Sequence, residues 1–296
     1  MTSLVRFTAG RLIFALLLVC VPLAHAQSIS NVSQAQLTFT TIDVPGAGYT
    51  SVQGINTAGD MVGYYGATSN GPYHGFLLRG GNFTFFDYPG AQSTFASKIN
   101  DSGLIVGYTP GGSREHGFLY DGTTFTQIRA GKNSVTACFG INNAGYIVGG
   151  TGMGDTRAFE LRGSRLKMIN FPGLYFNAYG TGINNFGQVA GWTTDGSNTH
   201  GYEYNQGAFT QIDFPGALMT EAWDINNSGV IIGWYEVGAF AYGFTWINGQ
   251  YTSLSYPGAE GTFAEGTNAS GQIVGAYTLD NIHYHGFVAT PTGEAQ

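Results

Sequence analysis

The chain has 296 residues, of which 47 are glycine, 15% aromatic and only 10% charged, with a formal net charge of −7. That acidic balance excludes the basic stripe that displaces counterions from nucleic acid, so no nucleic-acid partner is expected. An apolar share of 43% excludes a disordered chain, which needs low hydrophobicity and high charge.

The first segment reads as a targeting signal. Arg6 and Arg11 precede an apolar run from Leu12 to Leu23, and Ala24-His25-Ala26 follows. This fits a secretory signal peptide cleaved near Ala26, and the run is too short to span a bilayer. The expectation is a secreted or periplasmic protein without a membrane span. Residues 1–26 would be removed, and 27–36 would form a short linker. Val19 before Cys20 fits lipoprotein processing poorly. Cys138 then remains alone, which rules out an intrachain disulfide. It occupies the place of Val52, Ala96, Gly180, Ala222 and Ala264 in the other repeats, a small buried position.

From residue 37 onward one stretch recurs. "INTAGDMVGY", "INDSGLIVGY", "INNAGYIVGG", "INNFGQVAGW", "INNSGVIIGW" and "TNASGQIVGA" place Asn56, Asn100, Asn142, Asn184, Asn226 and Asn268 at spacings of 44, 42, 42, 42 and 42. A second marker, Pro-Gly-Ala or a relative, begins at Pro45, Pro89, Pro172, Pro215 and Pro257. A third, His-Gly-Phe, falls at His74, His116 and His285 and is loosened at His200, Tyr242 and Arg157. A stretch present six times builds the scaffold and marks no unique site. Units of this length fit propeller blades.

Each unit reads as four short strands, in the second repeat "TFASKIN", "LIVGYT", "HGFLYD" and "FTQI". Asn and Gly in the first link set a tight reversal, and such short links demand antiparallel neighbours. "LTFTTIDVPG" opens the array as a fourth strand without its unit, and "HGFVAT" closes it as a third strand without its fourth. The expected fold is therefore all-β: a six-bladed β-propeller of four-stranded antiparallel blades over residues 37–296. The N-terminal strand would complete the C-terminal blade and close the ring, which removes exposed sheet edges. A parallel β-helix would need shorter coils, and a sandwich would not explain six equal units. The pattern of Ile-Asn, Gly, Ile-Val-Gly and His-Gly-Phe over this range resembles the HAF-type extracellular repeat. The resemblance implies an exported bacterial protein of tandem repeats and carries no activity with it.

The place of each chemistry-bearing residue in the repeat bears on its role. The His-Gly-Phe histidines lie on outer strands that diverge around a ring, which favours a structural role bonding the nearby turn backbone. No carboxylate or Cys beside His283 and His285 completes a ligand set, so no metal site and no cofactor are expected. Asp43, Asp87 and Asp213 precede x-Pro-Gly turns and read as turn caps, because Asn170 and Ser255 share the slot. "GGTGMG" at 149–154 lacks the Lys-Ser/Thr of a phosphate loop. Only innermost strands deliver side chains to a common point, and these are mostly small or apolar. The exceptions are Lys98, Glu221, Asp224 and Glu265, candidates for cation binding or acid–base work, or else a hydrated channel lining.

Loop lengths separate two faces. The turn Asn always precedes the Val-Gly glycine by seven residues, whereas Gly63 to His74 spans eleven and Gly149 to Arg157 eight. Function usually rides on variable loops held by a rigid scaffold. That face carries the ligand-binding candidates Tyr49, Tyr73, Phe95, Arg114, Lys132, Tyr175, Phe176, Phe240, Phe263 and His283. Basic residues gather between Arg129 and Lys167, and none follows Met168. The expectation is an exported binding or scaffold protein engaging a glycan or an extracellular protein. The alternative is a polysaccharide lyase or hydrolase using the axial carboxylates.

Overall fold

The structure, a computed structural model, describes residues 37–110, 116–131, 134–152, 155–173 and 176–292. The signal peptide and linker expected over 1–36 lie outside the described residues, as do Arg114, Lys132 and Tyr175. No described helix is long and apolar enough to cross a membrane.

Among the described residues twenty-four strands follow one another. After β1 (Leu37–Ile42) come β2 (Tyr49–Ile55), β3 (Met61–Gly66), β4 (Tyr73–Arg79) and β5 (Asn82–Phe86). The second repeat holds β6 (Phe95–Ile99), β7 (Ile105–Thr109), β8 (His116–Tyr120) and β9 (Phe125–Ile128). The third holds β10 (Val135–Ile141), β11 (Ile147–Gly152), β12 (Arg157–Arg162) and β13 (Arg165–Ile169). In the fourth are β14 (Asn177–Ile183), β15 (Val189–Thr194), β16 (Thr199–Asn205) and β17 (Ala208–Ile212). The fifth has β18 (Met219–Ile225), β19 (Ile231–Val237), β20 (Phe240–Ile247) and β21 (Gln250–Leu254). The last has β22 (Gly261–Thr267), β23 (Ile273–Thr278) and β24 (Tyr284–Pro291).

Within each repeat successive strands pair antiparallel, and β1 pairs antiparallel with β24 from Leu37↔Pro291 to Ile42↔Gly286. The sheet layout differs from six equal four-stranded sheets: one 16-stranded mixed sheet stands beside two four-stranded ones, β6–β9 and β10–β13. The merger rests on single-residue parallel bridges between a third strand and the next first strand. These are Thr199↔Met219, Ala241↔Gly261 and Tyr49↔Tyr284.

The core lies between repeats. Val106 and Ala130 of the second pack with Cys138, Ile141, Ile147 and Phe159 of the third, which places the free thiol in an apolar layer as expected. The Val-Gly glycine is required by close approach: a Cβ on Gly149 would stand 1.9 Å from the Ala137 carbonyl oxygen, under the Phe159 ring.

The turns show their chemistry directly. Ala47 N–H closes on Val44 C=O with Gly46 at φ +81°, the type II geometry that Pro-Gly requires. The turn cap is not the aspartate. Thr50 Oγ1 accepts from Val44 N–H at 3.2 Å, and Thr94, Thr136, Thr220 and Thr262 do the same in their repeats. The aspartates instead receive the His-Gly-Phe histidines: His74–Asp87 at 2.8 Å, His200–Asp213 at 2.9 Å and His285–Asp43 at 2.9 Å. Histidine therefore bonds a carboxylate where turn backbone was expected.

Each turn Asn does two jobs. The Asn142 Oδ1 accepts from Ala144 and Tyr146 N–H at 3.1 and 2.9 Å, fixing its own reversal. Its Nδ2 donates to the Asn184 carbonyl at 3.0 Å in the next repeat. Asn56, Asn100, Asn184 and Asn226 donate onward in the same sense, and Asn268 returns to the Asn56 carbonyl at 3.1 Å. Six side chains close a ring.

Candidate functional site

A bulge recurs in every first strand, at the same place. It leaves Gln53, Ser97, Phe139, Thr181, Trp223 and Glu265 unpaired in the ladder, and bulges re-aim side chains in this way. Five of the six line a central cavity of about 380 Å³; Thr181 is held instead by the carbonyls of Ala190 and Ala222.

The next position along is Gly54, Lys98, Gly140, Gly182, Asp224 and Gly266. Here the strands converge: a Cβ on Gly182 would lie 2.6 Å from Asp224 Cα, and one on Gly54 would lie 2.9 Å from Lys98 Cα. Four glycines leave room for one long cation and one short anion. Lys98, 5% exposed, donates from Nζ to the Gln53 carbonyl at 2.7 Å and to the Glu265 carbonyl, and lies 3.7 Å from Asp224 Oδ2. Asp224 also accepts from Ile225 and Thr267 N–H, both at 2.9 Å. Burial raises its pKa, against the pull of Lys98 and these two amides. This pair plugs the channel between the Asn ring and the cavity.

Above the plug the cavity opens towards the ends of the strands that start at Tyr49, Tyr73 and Tyr284, the variable-loop face. Its wall is a run of rings. Trp234 meets Phe263 edge-on at 5.3 Å, Phe263 meets Tyr284 at 6.1 Å, and Tyr284 meets Tyr49 at 5.1 Å. Tyr49 stacks on Tyr64 at 5.8 Å, and Phe95 backs Tyr64 and stacks on Tyr108 at 4.9 Å. Phe139 follows at 5.4 Å and meets Trp223 at 6.3 Å. Burial lifts the Tyr49 and Tyr64 hydroxyls above their usual range, so both stay neutral.

Glu265 is 8% exposed, and its Oε2 finds no hydrogen-bond partner among the described residues. Burial raises its carboxyl to about 7, although Lys98 pulls the other way. Glu221 Oε2 accepts from the Trp223 indole N–H at 3.0 Å; burial, and then the Glu265 charge, push it up to about 8.

The sequence candidates separate accordingly. Glu265 lines the cavity and acts electrostatically on Glu221, which is not part of the lining, whereas Asp224 faces the Asn-ring side and belongs to the Lys98 plug. Tyr49, Tyr73 and Phe263 line the cavity, and Phe95 backs it. Phe176 lies beside a separate hollow with Arg157 and Phe171, and Phe240 is exposed against Tyr242. His283 pairs with Asp280 at 2.7 Å on an exposed loop. In the basic sector Arg162 and Lys167 converge on buried Glu160 and lie over the Tyr146 and Tyr204 rings. Among the described residues no cluster of three or more His, Cys, Asp or Glu is placed to hold a metal ion.

No family model matches the sequence, and no curated protein is similar to it in sequence. Solved structures do resemble it. TolB from Acinetobacter baumannii is 13% identical with a TM-score of 0.57, covering 79% of this chain and 64% of that one. A putative gluconolactonase is 11% identical at 0.53, covering 87% and 93%. Virginiamycin B lyase from Staphylococcus aureus is 11% identical at 0.50, covering 86% and 99%. At such identities the likeness shows the fold alone: the chain is a β-propeller.

Proposed function

We propose that the chain is an exported binding protein of the HAF-repeat kind, a six-bladed propeller whose variable-loop face engages a glycan or an extracellular protein. The six-blade reading is supported by the six-membered Asn ring and by the single-residue nature of the bridges that join neighbouring repeats. The binding reading rests on one observation, the ring-walled cavity open on the loop face. Flat π-faces with hydroxyls at their edges suit sugar rings and protruding side chains. Screening the mature protein on glycan arrays and against purified envelope fractions tests it, with Trp234→Ala as the paired variant. Binding should be lost in that variant while its melting temperature stays near that of the parent. Equal binding by both proteins would refute the cavity as the site.

A second reading has an observation of its own. Glu221 and Glu265 both carry carboxyls raised by burial, and the Glu265 charge adds to the shift at Glu221, as a general acid in a polysaccharide hydrolase or lyase requires. Turnover of a polysaccharide that disappears in Glu265→Gln would support it, and turnover that survives would remove it.

A further inference from the structure

From the cavity's wall and floor we infer that the group it receives is an organic ammonium, quaternary or protonated primary, held between ring faces and the Glu265 carboxylate. The inference rests on the proposed binding role and names the chemistry of its ligand. Aromatic faces attract cations through the ring quadrupole, most strongly where water is excluded and within ~6 Å of the ring centroid. The wall supplies Trp223, Trp234, Tyr49, Tyr64, Tyr108 and Phe139 around one space.

The floor supplies the anion. Glu265 Oε2 is buried without a hydrogen-bond partner among the described residues, an arrangement that costs free energy until a donor or cation arrives. The cation already near it is engaged elsewhere. Lys98 points its Nζ at the Gln53 and Glu265 carbonyls and at Asp224. The lining itself contains Tyr, Trp, Phe, Ser, Gln, Ala and one Glu, and no basic side chain among the described residues. Glu221, which accepts from the Trp223 indole N–H, adds a second negative charge when ionised.

Neutral sugars also stack on aromatic rings, but they need donors and acceptors in matched pairs. Gln53 has already turned its amide N–H to Ser51 Oγ at 2.8 Å, which leaves the bare carboxylate oxygen as the strongest unmet demand. A positive charge meets that demand in full. Titration agrees with this placement. The groups around Glu265 are Lys98, Glu221, Tyr49 and Tyr64; the tyrosines stay neutral, so Glu265 and Glu221 set the pH response. A cation would bind the ionised carboxylates and displace their protons, so its affinity should rise with pH through about 7 to 8.

The test is indole fluorescence and calorimetry on the mature protein with two cationic probes and their uncharged partners. Choline is set against 3,3-dimethyl-1-butanol, and glucosamine against glucose. Two of the four tryptophans line the cavity and report occupancy. At least one cation should saturate, with its neutral partner and the Glu265→Gln variant each weaker by ~10-fold or more. The tighter cation distinguishes a quaternary from a primary ammonium. Choline does not titrate, so any pH dependence of its binding belongs to the protein. Circular dichroism and melting of Glu265→Gln confirm that it is folded.

Equal affinity for charged and uncharged partners, or full affinity in Glu265→Gln, would overturn the inference. A neutral glycan that binds and is lost in Trp234→Ala, with neither cation binding, would also overturn it while leaving the cavity as the site. No response to any probe or glycan at the cavity tryptophans would overturn both.

Discussion

Replacing Asn142 with alanine removes three hydrogen bonds at once. Two are local, from Ala144 and Tyr146 N–H to Oδ1; the third crosses to the Asn184 carbonyl in the next repeat. Asn142 is buried, so water does not readily replace them. At a net ~0.5–1.5 kcal/mol per bond, the loss is ~1.5–4.5 kcal/mol. For a chain of this size ~1 kcal/mol moves the melting temperature by roughly 2–4 °C, which places the expected drop on the order of 10 °C. Its neighbour supplies the control. Asn143 also bridges repeats, accepting from Asp101 N–H at 3.0 Å and donating to Asp101 Oδ2 at 2.6 Å, but it is exposed. Water substitutes there, so Asn143→Ala should stay within ~1 kcal/mol of the parent. Differential scanning calorimetry on both variants decides the matter. If Asn142→Ala melts together with Asn143→Ala, the buried ring does not hold the repeats together.

Three further outcomes follow from the same geometry. Cysteines at Thr38 and Thr290, which face each other across β1 and β24, should crosslink within one chain; oxidation that yields only dimers on a denaturing gel would refute the closure. Lys98→Met strands a buried Asp224 and should destabilise by ~3–5 kcal/mol in urea unfolding. The pair Lys98→Gly with Asp224→Gly restores the glycine found at the four equivalent positions and should recover much of that loss, whereas strict additivity would contradict the plug. Stability should also fall as pH rises from about 4.5 to about 8. Glu265 and Glu221 have folded pKa values above the ordinary glutamate value of 4.5, so the folded state holds protons that the unfolded state has released. Thermal melts across this range should show the decline, and Glu265→Gln should make it shallower.

Much of the fold is legible because each repeat marker has a local cause. Asn-x-x-Gly sets a reversal, Pro-Gly a type II turn, and Val-Gly a close crossing, and all three can be read within a few residues. The Asn ring was not legible, since it joins residues about 42 apart through a side chain whose turn role already looked sufficient. The His–Asp pairs escaped for a similar reason: His74 lies on β4 and Asp87 just past the end of β5, and His285 reaches Asp43 across 242 positions. Part of the site was visible. Tyr49, Tyr73, Phe263 and Glu265 stand out as aromatics at strand starts or as a charge on an inner strand. Tyr64, Tyr108, Phe139, Trp223 and Trp234 did not, because alternation alone gives them no shared direction. Only the bulge turns Phe139 and Trp223 inward, and it is a matter of register between strands. The available signal was positional: the third residue before each turn Asn.

The Asn ring has an electrostatic consequence. The six carboxamides donate in the same sense round the ring, so the in-plane components of their dipoles add to nearly nothing. Across the end of the channel they surround, these amides therefore leave little sideways field. The formal charges there are Lys98 and Asp224, which break the glycine pattern and nearly cancel at a distance, and Asp101 on the lining, whose carboxylate accepts from Thr57 N–H. The two hollows thus differ in kind: one is walled by amides around a paired charge, and the other has an unshared carboxylate at its floor.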